Sequence, residues 1–535
     1  MIRSVTIIAL LALPLWGQVV LDDVLINDPA QNVNGVGGTA VAAGPNGSFA
    51  VAWQDFNDYN VPVTEIPRVA VRRFAAGGTA VGPLNLFRGE SRPLSIWTSD
   101  YLTDDIDLSF LPNGTLLVGV QHQGDLSIGG SSTFSRETGL GVVDAAGQIV
   151  DLRPNENGVI LWMIATEWDD ERHPRLSVGP SGEFFFLVDG PTFNTGFSAV
   201  GIQQFDANGN FVGNFFTPHP TDPGPNANHL FPDMANNGSS YMVVWQDGRA
   251  DNNFDITLQR YTASGPAGGN VRVNSGDPAN TINLAPVIAM NGAGNTVVVW
   301  ADGRNGTSLE LYGQRYTATG QTVGGNFQIS TGQGILMDRP EVAMRSDGSF
   351  MVVWTDSLTG VAGQDAYRAR ARLFDAAGFA TSPPVIVPNQ NVPSGGVDVD
   401  TDGTLFYISW IDTRLNGSDA QIYAKILGSL TTGLAETDDG VSPHAFALGE
   451  NYPNPFNPTT RIDFTLPRSE RVRLTVYDVT GRTVAVLVDA VRSAGRHAVT
   501  WNGRDAAGRP VASGVYLYRL EAGDVTATRR MVLMK

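Results

Sequence analysis

The chain contains no cysteine, and this absence removes several kinds of chemistry at once. Without a thiol there is no disulfide bond, no thiolate metal site and no cysteine nucleophile. Charged residues are also sparse, at 16% of 535 residues, and 53 acidic side chains outnumber 35 basic ones to give a formal charge of −18. Because nucleic-acid binding needs a basic surface, we expect no nucleic-acid partner.

Long apolar runs are rare, and the longest lies at the amino terminus. Residues 5–15 are apolar, Arg3 precedes them and the small Gly17 follows. This order is typical of a secretory signal peptide, which we predict for residues 1–17. No other segment approaches the 18 apolar residues of a membrane-spanning helix, so we expect an exported chain with no transmembrane segment in its mature form.

What the sequence does contain is a repeat, which extends over residues 20–430. The clearest copies begin at Phe231, Ala285 and Arg339, and each has a short strand, a glycine-containing turn and an apolar strand. Taking the end of the apolar strand as the marker, seven copies are found, at Trp53, Val120, Val188, Trp245, Trp300, Trp354 and Trp410. A period of this length indicates a β-propeller or a similar array of sheets.

Each repeat predicts four antiparallel strands and no helix, which is typical of a propeller blade. We therefore predict an all-β chain with a seven-bladed β-propeller at residues 18–430. The seventh repeat ends after residues 421–425 without a fourth strand, and a segment beginning at Val24 resembles that missing strand. We expect this N-terminal strand to close the last blade. The repeats resemble those of uncharacterised bacterial β-propellers, and that resemblance implies no particular reaction.

Two recurring acidic patterns favour structural roles. Five repeats carry Trp-x-Asp, and we expect the Trp to fill space between sheets and the Asp to accept backbone N–H groups or pair with Arg. Asp398, Asp400 and Asp402 match the opening of a calcium loop, but Ser409 stands where the loop's last carboxylate is needed. A hairpin turn is the preferred interpretation there. Calcium remains the candidate ion, and no other cofactor is expected.

The loops between the second and third strands of each repeat are long and varied, so we expect ligands to bind on that face. Candidate ligand-binding residues are Tyr59, Asp251, Phe254 and Asp255. The aromatic rings of Tyr59 and Phe254 could stack on sugars or pack against neighbouring loops. No metalloprotease, serine-nucleophile or phosphate-loop motif is present, and the catalytic residues are unknown. The acidic loops could instead supply the two carboxylates of a glycosidase.

The composition changes after a polar linker at residues 431–443. From Val441 onward there are thirteen basic and eight acidic residues, a net of +5 that leaves −23 for the rest. Short period-two strands separated by glycine turns predict a small immunoglobulin-like β-sandwich. Recurrent motif residues are spread over this segment: Asn451, Tyr452, Pro453, Asn454, Pro455, Phe456, Asn457, Pro458, Gly481, Trp501, Gly514, Tyr516 and Lys535.

With these motifs, residues 443–535 resemble the type A C-terminal sorting domain of the bacterial type IX secretion system, which is related to the immunoglobulin-like domain of flagellar hook-capping proteins. The resemblance implies a sorting domain at residues 444–535, recognition by the type IX machinery, and a final location outside the cell or on the outer-membrane surface. We therefore expect an exported, non-catalytic propeller that binds a glycan or a protein. The alternatives are a secreted glycoside hydrolase or lyase acting through acidic loop residues, and a purely structural surface component.

Overall fold

The computed structural model is an all-β structure, as predicted. It describes residues 19–27, 38–55, 68–88, 97–128, 131–150, 161–162, 172–191, 197–219, 228–249, 254–278, 281–306, 308–330, 334–336, 339–358, 367–381, 383–390, 392–414, 420–428, 447–452, 456–466, 470–492, 495–523 and 525–534. Within these ranges there are 37 strands and one 3-10 turn at Pro45–Gly47, and no helix has the length and hydrophobicity of a membrane span. The chain divides into two compact units, Met1–Ala435 and Glu436–Lys535.

In the first unit the described strands form seven antiparallel sheets. The first sheet contains β2 (Thr39–Ala43), β3 (Phe49–Asp55), β4 (Arg68–Phe74) and β5 (Ala80–Arg88), and the second contains β6 (Trp97–Phe110), β7 (Leu116–Ile128), β8 (Ser131–Val143) and β9 (Leu161–Trp162). The third contains β10 (Arg172–Val178), β11 (Phe184–Pro191), β12 (Ser198–Phe205) and β13 (Phe211–Phe216), and the fourth contains β14 (His229–Asn236), β15 (Ser240–Asp247), β16 (Asp255–Thr262), β17 (Gly265–Pro266) and β18 (Val271–Arg272). The fifth contains β19 (Asn283–Met290), β20 (Thr296–Asp302), β21 (Glu310–Tyr316) and β22 (Thr322–Gln328). The sixth contains β23 (Gly334–Leu336), β24 (Glu341–Met344), β25 (Phe350–Leu358), β26 (Tyr367–Phe374) and β27 (Val385–Ile386), and the seventh contains β28 (Ser394–Thr401), β29 (Phe406–Asp412), β30 (Gln421–Leu427) and β1 (Val19–Leu25).

One strand of each sheet contacts its counterparts in the neighbouring sheets. We call β2, β6, β10, β14, β19, β24 and β28 the inner strands. They contact one another in cyclic order, and the last of them, β28, contacts the first, β2. Charged or polar side chains on these strands therefore come close together even when they are far apart in sequence.

The second strand of each sheet forms most of the apolar core. In β20, which reads Thr-Val-Val-Val-Trp-Ala-Asp, every residue is buried. Such a strand lacks the apolar–polar alternation of a surface strand because other sheets cover both of its faces. The indoles of Trp53, Trp245, Trp300, Trp354 and Trp410 are at most 1% exposed. They fill the space between sheets, as the sequence predicted.

The N-terminal strand completes the seventh sheet. β1 pairs antiparallel with β30, with Val24 opposite Ala424 and Leu25 opposite Tyr423. The paired segment begins at Val19, five residues before the point expected from the repeat. We call residues 19–27 the strap. Beyond β1 the strap continues to pair, because Ile26 donates its N–H to Ile422 (2.9 Å) and the Asn27 side chain bonds Gln421 (2.9 Å).

An ionic cluster fastens the strap. Lys425 is only 3% exposed and its ammonium lies 2.9 Å from Asp23 and 3.2 Å from Asp22. Asp23 also accepts the Asn389 N–H at 2.9 Å and pairs with Arg414. Burial alone would raise the pKa of Asp23, but Lys425, the Asn389 N–H and Arg414 together hold it below its usual range. The ion pair therefore favours the strap in place at neutral pH.

The second unit contains two sheets in the part of it that the structure describes. One has the order β31 (Ala447–Tyr452), β32 (Thr460–Leu466), β35 (Gly495–Trp501). The other has the order β34 (Thr483–Arg492), β33 (Glu470–Asp478), β36 (Gly514–Ala522), β37 (Val525–Leu533). Their apolar residues form one core, which includes Ile462, Leu474, Tyr518 and Met531.

Several of the motif residues build this core. Trp501 is 2% exposed, packs edge-on against Tyr516 at 5.2 Å, and donates its indole N–H to the Arg504 carbonyl. Phe456 is buried and bridges to Leu533. Gly481 has a φ of 81° in a turn that Asp478 caps, a conformation that favours glycine. Pro453, Asn454, Pro455 and Lys535 lie outside the described residues, as do the predicted signal peptide at 1–17 and the linker at 431–443.

We predict that Asp23→Asn lowers the free energy of unfolding by about 3 kcal/mol, because it leaves the buried Lys425 ammonium without its closest counter-ion. Urea unfolding followed by tryptophan fluorescence measures the change. Asp22→Asn is the matched control, since Asp22 contacts the same ammonium but is 48% exposed, and its loss should cost less than about 1 kcal/mol. Equal effects of the two substitutions would contradict the role given to the buried pair.

Candidate functional site

The inner strands carry charged residues at one equivalent position. Each inner strand forms a hairpin with the second strand of its sheet, and the position lies three residues before the last cross-strand pair of that hairpin. From the first sheet to the seventh, it is occupied by Ala40, Asp107, Arg175, Asp233, Val287, Glu341 and Asp398. Five of these seven side chains are charged. Two residues earlier come Asp105 and Arg339. We call Asp105, Asp107, Arg175, Asp233, Arg339, Glu341 and Asp398 the axial cluster.

Three axial carboxylates link neighbouring sheets. Asp107 accepts the N–H of Leu176 at 2.6 Å, and Asp233 accepts that of Ile288 at 2.8 Å. Each also accepts the N–H of the residue that follows it in its own strand. In both cases the acceptor on one inner strand satisfies a backbone donor on the next.

The same link joins the seventh sheet to the first. Asp398 accepts the N–H of Val41 at 2.6 Å, and Asp400 accepts that of Ala43 at 2.8 Å. Both carboxylates also accept the N–H of the next residue in β28. These acids are therefore structural in their described contacts.

The two arginines of the cluster make contacts that extend beyond neighbouring sheets. Arg175 of the third sheet lies 3.3 Å from Glu341 of the sixth. Arg339, just before β24, donates to the carbonyls of Pro286 (2.7 Å) and Pro232 (3.3 Å) in the fifth and fourth sheets. The Nε–H of Arg175, and the Nε–H and Nη1–H groups of Arg339, are buried without a hydrogen-bond partner. These three N–H groups have no acceptor among the described residues.

The cluster has five carboxyl groups and only two guanidinium groups, a formal charge of −3. Burial, followed by the neighbouring Asp233 and Asp107, raises the pKa of Glu341 to about 7, although Arg175 and Arg339 oppose the shift. Burial likewise raises the pKa of Asp107 to about 6 and also raises those of Asp233 and Asp398. The Glu341 side chain is nevertheless 26% exposed, so water reaches it although protein surrounds it.

Strained backbone shapes the same end of the inner strands. His173, Phe231 and Ala285 have φ values of 50°, 52° and 50°, and each precedes a proline in a strand bulge. A side-chain acceptor from the preceding sheet holds each bulged N–H: Gln121, Asp189 and Gln246 respectively. Two of the bulges present the Pro232 and Pro286 carbonyls to Arg339. Non-glycine residues in this backbone region often mark functional sites.

Two of the bulged residues form an aromatic pair beside the arginines. The His173 and Phe231 rings lie 3.9 Å apart, centroid to centroid. Asp189, which is fully buried, fixes both residues, because its Oδ1 lies 2.6 Å from His173 Nδ1 and accepts the Phe231 N–H at 3.1 Å. The His173 and Phe231 rings therefore lie close along the chain to Arg175 and to the Pro232 carbonyl that Arg339 contacts.

Two of the Trp-x-Asp pairs, Trp300/Asp302 and Trp410/Asp412, show most clearly the structural role that the sequence predicted. The indole N–H groups of Trp300 and Trp410 each donate to the following Asp302 and Asp412 at 2.8 Å. Asp302 also accepts the backbone N–H and Nε–H of Arg304 at 2.8 and 2.9 Å. The aspartate thus joins the indole to the loop that follows the strand.

Two of the four predicted ligand-binding residues, Tyr59 and Asp251, lie outside the described residues. Phe254 is half-buried with a φ of 43°. Asp255 pairs with Arg272 at 2.9 Å and accepts a hydrogen bond from Asn274 at 3.0 Å. Asp255 pairs across the sheet with Asp247, which in turn pairs with His229 at the start of β14. Phe254 and Asp255 therefore lie at the bulged end of the sheets, and their binding role stays a prediction.

The calcium candidates lie in a hairpin. Asp398 and Asp400 belong to β28 and hold the N–H groups described above, whereas Asp402 lies in the turn before β29. Asp402 accepts the N–H groups of Thr404 and Leu405 at 2.8 and 2.7 Å and the Tyr407 hydroxyl at 3.0 Å. Over the described ranges, no three His, Asp or Glu side chains are grouped so as to hold a metal ion.

The opposite end of the inner strands opens into a cavity of about 360 Å³. Its lining comes from β10, β14, β19, β24 and β28 and the turns after them, and is mostly small or amide residues such as Ser177, Asn236 and Asn291. Asp400 is its one ionisable lining residue among those described. The concentration of charge is therefore confined to the bulged end.

The sequence interpretation missed the axial cluster. Its signal is a single column of the repeat alignment, in which Asp107, Arg175, Asp233, Glu341 and Asp398 coincide. The residues that most repeats share are instead the Trp-x-Asp pairs, which are structural. This position is charged in five of the seven repeats, but the charge is negative in four of them and positive in one. That pattern could have identified the site.

Comparison with known proteins gives one family match, which covers a small part of the chain. Residues 454–525 match the FlgD Ig-like domain family. No curated protein sequence matches the chain. The family match agrees with the predicted immunoglobulin-like C-terminal unit.

Solved structures similar to the chain share little sequence with it. A protein of unknown function from Dyadobacter fermentans is 12% identical, with a TM-score of 0.42 over 77% of this chain and 98% of that chain. The polysaccharide lyase Uly1 is 11% identical, with a TM-score of 0.45 over 75% and 93%. An α-L-arabinofuranosidase from Fusarium graminearum is 12% identical, with a TM-score of 0.37 over 77% and 96%. Similarities this weak give no information about the activity of the chain.

We predict that Glu341→Gln changes how stability depends on pH. Because the pKa of Glu341 rises from 4.5 to about 7 on folding, the folded state binds more protons between these values, and wild-type stability falls as the pH rises through this window. The glutamine variant lacks this contribution. It should gain on the order of 2 kcal/mol relative to wild type between pH 4 and pH 8, measured by urea unfolding. Parallel curves for the two proteins would contradict the prediction, and Glu183→Gln in the turn after β10 is the control.

Proposed function

We propose that the chain is an exported β-propeller that binds a glycan at the axial cluster. In this proposal the seven sheets of the first unit are the seven blades at residues 18–430, and the strap closes the ring. The cyclic contacts of the inner strands support the blade arrangement. The pairing of β1 with β30, together with the bonds from β28 to Val41 and Ala43, supports closure.

Delivery of the propeller rests on the two ends of the chain. Residues 1–17 act as the signal peptide, residues 431–443 as a linker, and residues 444–535 as a type IX sorting domain. The match to the FlgD Ig-like family supports the last assignment, because the sorting domain resembles that fold. The mature protein is then secreted or held on the outer surface of a bacterium, with the type IX machinery as its transport partner.

The observation that carries the binding proposal is the set of unpartnered N–H groups on Arg175 and Arg339 next to a water-exposed Glu341. Donors and an acceptor in one group suit the hydroxyl groups of a sugar, which both donate and accept. The adjacent Phe231 offers an apolar ring to a sugar face. Protein-binding surfaces usually have apolar centres, which makes a protein ligand the weaker choice here.

The loop residues predicted from sequence have a place in this proposal. Tyr59, Asp251 and Phe254 belong to connections between second and third strands, and Asp255 is the first residue of the third strand β16. Those connections start at the end of the sheets where the inner strands begin, as the pairing of Asp302 with Asn283 illustrates. We propose that they extend the binding surface outward from the axial cluster. No cofactor is needed for this function.

A glycoside hydrolase or lyase is the second candidate, and Glu341 favours it. A carboxyl group with a pKa near 7 is suited to give or take a proton at neutral pH. The acidic group in question lies on an inner strand, not on the acidic loops considered from sequence. Release of reducing ends or unsaturated sugars from a polysaccharide by wild type, but not by Glu341→Gln, would favour this candidate over simple binding.

A glycan array probed with the full-length chain tests the binding proposal. We expect wild type to bind a defined glycan, and Arg175→Met to weaken that binding at least tenfold because it removes the central donor. Arg471→Met in β33 of the second unit is the control, since Arg471 is 73% exposed and belongs to the other compact unit. Thermal unfolding verifies that both variants are folded. Unchanged binding in Arg175→Met, or binding of proteins only, would overturn the proposal.

A fusion experiment tests delivery. We expect residues 436–535, joined to a periplasmic reporter protein, to bring that reporter outside the cell in a bacterium that has type IX secretion. The same fusion with Trp501→Ala should remain in the periplasm, because this indole is buried in the core of the unit. An intact fusion that stays in the periplasm would show that the segment is not a sorting domain.

A further inference from the structure

The axial cluster has more acidic groups than basic ones. Its five carboxyl groups face two guanidinium groups, and burial with mutual repulsion raises the pKa values of four of those carboxyls. A ligand that brings a positive charge would relieve this imbalance. A ligand that brings a negative charge would add to it.

Glu341 is the axial carboxylate best placed to contact such a ligand. Asp107, Asp233 and Asp398 each accept two backbone N–H groups, which hold them in place between sheets. The described partner of Glu341 is Arg175 Nη2, at a relatively long 3.3 Å, and 26% of its side chain is exposed. It can therefore accept a charge-assisted hydrogen bond from a ligand without releasing a neighbouring sheet.

The arginines need acceptors in addition. Arg175 is 9% exposed, and its Nε–H has no partner, nor do the Nε–H and Nη1–H of Arg339. A buried donor without an acceptor is costly, so a bound molecule that supplies oxygen atoms here gains affinity. The complementary ligand thus combines one ammonium group with several neutral oxygen atoms at short range.

We infer that the axial cluster binds an amino sugar whose amine is free, with the ammonium on Glu341 and ring hydroxyls on Arg175 and Arg339. This inference rests on the proposed glycan-binding function and specifies its ligand. A bare metal ion is the poorer match, because no three described acidic or imidazole side chains are grouped as ligands. An amine instead needs only one carboxylate.

Binding also depends on pH. The charged groups around Glu341 are Arg175 of β10, Arg339 before β24, Asp233 of β14, Asp107 of β6 and Asp398 of β28. As the pH rises through about 7, Glu341 loses its proton and affinity for the ammonium increases. Above the pKa of the sugar amine the ligand loses its charge and affinity falls again.

Titration calorimetry at pH 7 with the full-length chain tests this inference. The probes are a glucosamine tetrasaccharide, an N-acetylglucosamine tetrasaccharide of the same length without the charge, and a galacturonate tetrasaccharide. We expect wild type to bind the free amine at least tenfold more tightly than the acetylated sugar. Glu341→Gln should abolish this preference and its dependence on pH, whereas the control Glu183→Gln should retain both.

The possible outcomes separate this inference from the proposed function. Equal affinity of wild type for the amine and its acetylated form, lost in Arg175→Met, would overturn the inference and leave glycan binding in place. Tighter binding of the uronate would also overturn it. If no glycan binds at all, here or on the array, both the inference and the proposed function fail.

Discussion

Backbone N–H groups on the inner strands need acceptors where one sheet meets the next, and side-chain carboxylates supply them. Asp107, Asp233 and Asp398 each accept an N–H from the following sheet, and the last of these bonds joins the seventh sheet to the first. The cost of this arrangement is a concentration of negative charge. Arg175 and Arg339 offset part of this charge, through ion pairs with Glu341 and Asp233.

The departures from repeat symmetry are what create a site. If every inner strand carried an aspartate at the axial position, all of them could serve only as links between sheets. Arginine at 175 and glutamate at 341 break the pattern, and they lie in sheets that are not neighbours. Longer side chains at these two positions span the centre instead of reaching the adjacent strand. A nearly symmetric scaffold thereby acquires one distinct set of donors and acceptors.

Much of the fold could be predicted from sequence because its signals are local. The buried second strands, the Trp-x-Asp pairs and the immunoglobulin-like unit follow from β propensity and from short motifs. The axial cluster could not be located in the same way, because Arg175 and Glu341 are 166 residues apart and meet only through the cyclic order of the sheets. The extent of the strap depended on Lys425, whose burial no sequence pattern indicates. The candidates Tyr59 and Asp251 belong to long connections that carry no periodic signal.

The strap has a consequence for how the chain folds. Asn27 bonds Gln421 across 394 residues, so the seventh sheet is completed only when the first and last strands of the unit meet. Closing a loop of this size costs conformational entropy. Proteins with many such distant pairings have a high contact order and fold slowly. A ribosome must therefore finish nearly the whole first unit before its sheet edges are sealed. Until then the seventh sheet keeps an unpaired edge along β30, where another strand could pair in place of β1.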